Sequence, residues 1–121
     1  MIKQIKSSDI KKFIENNPNT VLLDVRTVDE WNTVGKPDTK KLGIKSLFIT
    51  ISQDPSFLEN VKKNIDKKDQ VLVMCAAGGR SIIASNLLAN EGYYTLNISD
   101  GCSGNGQDPG WKNLGLPSDN A

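Results

Sequence analysis

Along the chain, short unbroken apolar runs alternate with stretches whose apolar residues recur every three or four positions. Residues 21–25 (VLLDV), 46–51 (SLFITI), 71–74 (VLVM) and 94–98 (YTLNI) form the runs. Runs of this length between turn formers read as buried strands. Helical spacing appears at Ile10, Phe13 and Ile14, behind Ser7, Ser8 and Asp9 as candidate N-caps and ahead of Pro18. It returns at Phe57, Leu58, Val61 and Ile65 within residues 55–65, and at Ile82, Ile83, Leu87 and Leu88 within residues 81–91, a helix stopped by Gly92. Thr27 or Asp29 is placed to cap a brief helical turn through Glu30, Trp31 and Val34. Residues 35–43 (GKPDTKKLG) and 99–110 (SDGCSGNGQDPG) read as irregular loops, followed by a short turn at 111–115 and a tail frayed at its end.

Strands alternating with helices predict an α/β fold, a central mainly parallel sheet flanked by helices on both faces. A length of 121 residues fits one domain. We place it at residues 1–117, with residues 118–121 as a short C-terminal tail. In such folds ligands bind at the C-terminal ends of the strands. Asp24 and Arg26, Cys75 and the loop after it, and Asp100 to Cys102 all fall at or just beyond strand ends, so chemistry-bearing residues converge on one rim.

Composition narrows the chemistry. The 15 basic and 14 acidic side chains nearly cancel, which gives no general attraction to nucleic acid or an anionic membrane. No segment approaches the roughly 20 apolar residues of a membrane span, and the N-terminal residues lack a secretory apolar stretch, so a cytoplasmic location is expected. There is no histidine, which excludes Cys-His and Ser-His catalysis and most zinc sites. The two cysteines, Cys75 and Cys102, are expected to stay reduced in such a compartment.

The segment 71–81, VLVMCAAGGRS, carries the sharpest signal. A thiol reacts as its thiolate, which positive potential at a helix N-terminus favours. Cys75 stands just before such a terminus, at what reads as the exposed end of a strand. Ala76, Ala77, Gly78 and Gly79 have almost no side chain, so the backbone can curl and aim N–H groups inward. Arg80 can steer an anionic substrate or brace the loop through a carboxylate such as Asp24, and Ser81 can cap the helix. A buried cysteine used only for packing needs neither the double glycine nor the arginine. Cysteine phosphatases use a C-x5-R-[ST] loop around phosphate; here four residues separate Cys75 from Arg80, a smaller ring better matched to one extra sulfur atom.

The segments LLDVRTVDEW, VLVMCAAGGRS, LNISDG and GWKNLGLP resemble, in order and spacing, the single-domain rhodanese, or sulfurtransferase, family. The resemblance implies a persulfide mechanism. Cys75 takes a sulfane sulfur from a donor such as thiosulfate, the N–H groups of residues 76–80 hold the persulfide, and a thiophilic acceptor removes it: cyanide, a thiol or a carrier protein. It implies no metal or organic cofactor. The charge balance and the lack of an apolar span predict no nucleic-acid or membrane partner, and a monomer or weak dimer is expected. The loop has one arginine where some members have two cations, and Cys102 stands where a glycine often follows the DG pair.

The remaining candidates have plainer roles. Asp24 and Arg26 are expected to support strand ends and loops by hydrogen bonding. Cys102 is a possible resolving thiol for the Cys75 persulfide, against the simpler reading of an incidental loop residue. Trp31 and Trp111 read as packing residues, and Lys36, Lys40, Lys41 and Lys45 as a solvated basic patch. The rival functions are a phosphatase or arsenate-reductase-like enzyme using the same cysteine, and a non-catalytic binding module of the same fold.

Overall fold

A computed structural model describes residues 2–119. Its centre is a five-stranded, all-parallel sheet ordered β1-β6-β5-β2-β4, comprising β1 (Lys3–Ile5), β2 (Thr20–Asp24), β4 (Lys45–Phe48), β5 (Gln70–Met74) and β6 (Tyr94–Ile98). The period of two along buried strands sorts their side chains to two faces. Val21, Leu23, Val71, Val73 and Cys75 pack with Phe57 and Val61 of α3 (Ser56–Asn64) and Ala84 and Leu88 of α4 (Gly79–Asn90). Leu22, Leu72, Met74, Leu96 and Ile98 pack on the other face with Ile10 of α1 (Ile10–Asn16) and with Trp111. Helices therefore cover both faces, as the alternating pattern predicts.

Several elements differ from the sequence expectation. β1 goes unpredicted because it has three residues and one buried side chain, Ile5; its partner β6 supplies the rest, in register Gln4 opposite Asn97. The predicted strand at 46–51 ends at Phe48, yet Ile49 and Ile51 continue alongside β2 by donating N–H bonds to the Asp24 and Val25 carbonyls. The tail is partly ordered: β7 (Ser118–Asp119) pairs antiparallel with β3 (Lys36–Pro37). Trp111 Nε1 also donates to the Pro117 carbonyl at 2.8 Å. The final two positions of the predicted tail lie outside the described residues. Ser7, Ser8 and Asp9 form a 3-10 turn without side-chain caps.

The largest correction concerns α4. The expected apolar face included Ile82 and Ile83, but Ile83 is 58% exposed and the buried face is Ser81, Ala84, Ser85 and Leu88. Small side chains let the helix lie close to β5 and β6, and this rotation points Ser81 inward and Ile83 outward. Ser81 is thus not a cap; the N-cap position is Gly78.

One carboxylate ties the rim together. Asp100, fully buried after β6, accepts from the Ser7 N–H and hydroxyl at 2.9 Å and from the Gly110 N–H at 3.0 Å. It joins the N-terminal turn, the end of β6 and the glycine-rich loop. Asp100→Ala leaves buried donors unpaired, and we expect it to lower the unfolding free energy by about 2–4 kcal/mol, read from urea denaturation.

Candidate functional site

Cys75 follows the last residue of β5 and its Sγ lies before the first turn of α4. The thiol is 1% exposed, which corrects the expectation of an exposed strand end. The Gly78 N–H donates to Cys75 Sγ at 3.1 Å, and Ser81 Oγ lies 3.3 Å from the same sulfur. Of the loop amides expected to face the sulfur, Gly78 N–H is the one in contact here.

The loop takes this path because its glycines permit it. Gly78 has φ +100°, and a Cβ there would stand 2.3 Å from the Ser99 carbonyl oxygen. Behind the loop, the Cys102 and Ser103 N–H groups donate to the Cys75 and Ala76 carbonyls at 2.8 Å. Gly101 lies so close to Ala76 that a Cβ would meet its carbonyl oxygen at 2.5 Å. The glycine-rich segment after β6 is therefore the wall against which the cysteine loop is pressed.

Arg80 does not reach Asp24. Its Nη1 and Nη2 donate to Glu30 Oε1 and Oε2 at 2.6 and 2.8 Å, a bidentate pair bridging α4 and α2 (Val28–Val34). Glu30 is held from its own side as well: its Oε1 accepts from the Thr27 N–H and hydroxyl, and Thr27 Oγ1 accepts from the Glu30 N–H, a capping box. The Arg80 hydrogen bonds hold the Glu30 carboxyl down at about 2. Glu30 escapes the sequence reading as a site residue, although the T-x-x-E spacing signals that its side chain turns back toward the rim.

Asp24 instead pairs with Arg26, both buried. Arg26 Nε and Nη2 donate to the carboxylate at 2.8–3.1 Å, and Nη2 also donates to the Gly35 carbonyl at 2.9 Å. Burial opposes the Arg26 charge, and the bonds and charge of Asp24 outweigh it, so its proton is held above the ordinary value. The pair braces the end of β2 and the turn after α2.

Cys102 lies on the opposite side of the sheet from Cys75. Its backbone bonds to Cys75, but its side chain packs with Ile5, Met74 and Trp111, whereas Cys75 packs with the α3 and α4 cluster. Burial pushes the Cys102 thiol up. Trp31 packs edge-on against Phe48, and Lys36 sits over both rings. Lys45 donates to the Asn64 carbonyl at 2.8 Å, at the strand end opposite the one that carries the cysteine. Beside Arg80, Ile51, Ser52, Gln53, Ile83 and Leu87 line a cleft of about 200 Å³.

A cysteine at the end of a central parallel strand, cradled by a glycine turn that opens a helix, defines a cysteine-loop α/β domain. The family model for the rhodanese-like domain matches residues 7–104, and the chain belongs to that family. It is 38% identical to the Rickettsia prowazekii protein RP600, with 97% of each chain covered. The crystal structure of Rv0390 from M. tuberculosis superposes with a TM-score of 0.86 at 27% identity, covering 98% of each chain. The polysulfide-sulfur transferase homodimer from Wolinella succinogenes gives a TM-score of 0.73 at 27% identity, covering 99% of this chain and 80% of that one.

Three substitutions test this geometry. Gly78→Ala forces both a clash and a disfavoured φ, and it should destabilise the protein by about 2–4 kcal/mol in urea titration. Gly79→Ala, with nothing within 4 Å of the added carbon, should change stability by less than about 1 kcal/mol. For the Arg80 pair, the Glu30 carboxyl is lowered on folding from 4.5 to about 2. Its contribution is full above 4.5 and fades as pH falls toward about 2. The stability advantage of the native protein over Glu30→Gln should therefore be present at neutral pH and shrink over that window in acid titration.

Proposed function

We propose that the protein is a sulfurtransferase that carries a sulfane sulfur as a persulfide on Cys75. The observation that carries this reading is the Gly78 N–H directed at Cys75 Sγ from the N-cap position of α4. A backbone donor and the positive end of a helix favour negative charge at that point, first on the thiolate and then on the outer persulfide sulfur. The family membership supports the reaction class, and the Wolinella succinogenes structure is of a polysulfide-sulfur transferase.

In the loading step the Cys75 thiolate attacks the outer sulfur of the donor. A new S–S bond forms as the donor's own S–S bond breaks, and the bonding pair leaves with sulfite from thiosulfate, or with the shortened chain from polysulfide. In the second step an acceptor nucleophile attacks the outer sulfur and Cys75 leaves as thiolate. With cyanide the product is thiocyanate; with a small thiol or a carrier protein it is a new persulfide. Because Cys75 is 1% exposed, loading requires the loop around it to part. The cleft beside Arg80 is the side from which we expect the acceptor to approach.

The Arg80 pairing bears on the choice of donor and on the rival reaction. Both terminal nitrogens are engaged by Glu30, which reduces the positive charge offered to a dianion at the loop. Polysulfide is therefore expected to load Cys75 faster than thiosulfate. The same engagement removes the guanidinium that a cysteine phosphatase directs at its phosphate, which adds to the loop length as an argument against phosphoryl chemistry.

Intact-mass analysis after incubation with thiosulfate or polysulfide tests the proposal. The expected result is a gain of one sulfur atom, reversed by cyanide and absent in Cys75→Ser. No gain with either donor would overturn it, and accompanying hydrolysis of an aryl phosphate would establish the rival.

A further inference from the structure

Behind Cys75 a chain of polar groups runs from the buried Ser81 and Asn97 out to the exposed Gln4, and the sulfur chemistry does not account for it. Ser81 Oγ contacts both Cys75 Sγ and Asn97 Oδ1. Asn97, fully buried on β6, turns its Nδ2 to the Gly78 carbonyl at 3.2 Å and to Gln4 Oε1 of β1 at 2.8 Å. The Gly78 carbonyl can only accept a hydrogen bond, so the Asn97 atom facing it is the amino group. The atom facing Ser81 is then the Asn97 carbonyl oxygen, which also can only accept.

Proton counting fixes the rest. A hydroxyl has one proton. If it goes to Asn97, Ser81 presents a lone pair to Cys75, and the contact at 3.3 Å is satisfied only when the Cys75 S–H donates. Ionising Cys75 then either sets a thiolate against that lone pair or turns the hydroxyl proton to the sulfur and strands the buried Asn97 oxygen. We propose that Asn97 is a positioning residue that holds Ser81 as an acceptor, so that at rest the Cys75 S–H donates to Ser81 and restrains the sulfur against the pull of the Gly78 N–H. The inference deepens the sulfur-transfer reading, on which its biological use rests. Ser81 is a restraint on the nucleophile, released when a donor displaces the contact.

The charged groups around the sulfur do not replace this effect. Arg80 of α4 is paired with Glu30 of α2, with Cys75 and Asp24 of β2 within its field. Arg26 is engaged by Asp24, and Asp100 after β6 by Ser7 and Gly110. The substitutions that test the proposal touch none of them.

The test is the rate of Cys75 alkylation by iodoacetamide across pH, in a Cys102→Ser background so that one thiol is read. Ser81→Ala removes the acceptor of the thiol proton, and it should alkylate at least as fast as the parent at neutral pH. Asn97→Leu frees the hydroxyl to donate to the sulfur, and it should alkylate about tenfold faster, with the pH–rate profile moved to lower pH. In the Ser81→Ala background, Asn97→Leu should add nothing, because its effect passes through the hydroxyl. Slower alkylation in Ser81→Ala, or an equal Asn97→Leu effect with and without Ser81, would overturn the proposal. If Asn97→Leu does not fold, the direction of the Ser81→Ala change decides alone. Alkylation reads the free thiol, so its outcome is separate from whether sulfur is taken up.

Discussion

The structure around Cys75 depends on how closely two backbone segments approach. The turn after β5 and the segment after β6 are joined by N–H bonds from Cys102 and Ser103 to the carbonyls of Cys75 and Ala76. There is no room between them for a Cβ at Gly78 or Gly101. That proximity turns the Gly78 amide toward the sulfur and starts α4 in the direction that carries Ser81 inward. Asp100 fixes the second segment from behind, so a buried carboxylate that does not touch Cys75 sets the shape of the cradle around it.

Around this cradle the polar groups are distributed with opposing effects. The amide and the helix end favour negative charge on the sulfur. The Ser81–Asn97 contact turns a lone pair of the Ser81 hydroxyl toward the sulfur. Arg80, which would otherwise add charge at the mouth, is held away by Glu30, itself anchored in the capping box of α2. The balance describes a thiol that is covered and restrained until its loop is disturbed, rather than a permanently exposed thiolate.

Much of this was legible in the sequence. Unbroken runs such as VLVM and VLLD can be buried on both faces only in a covered parallel sheet, so strand identity and the gathering of Asp24, Arg26, Cys75 and Asp100 at one rim follow directly. The small residues between Cys75 and Arg80 signalled the tight turn. What could not be read were contacts between segments distant in the chain: Glu30 with Arg80, Asn97 with Ser81, Gln4 with Asn97, and the three-residue β1 that exists through β6. The buried face of α4 differs from the expected one for a related reason. Periodicity ranks Ile83 above Ser81 as a core residue, whereas close packing on β5 and β6 selects the small side chains. Likewise, adjacency on the rim suggests that Cys102 can serve Cys75, but the turn after β6 carries the Cys102 side chain into the other cluster.

The central claim is that sulfur is stored on Cys75 within the amides of its own loop. A crystal structure of the protein after polysulfide treatment tests it most directly. The account predicts one additional sulfur bonded to Cys75 Sγ and contacted by N–H groups of residues 76–80. An unmodified Cys75 beneath a bound oxyanion, or an added sulfur on Cys102 alone, would contradict it.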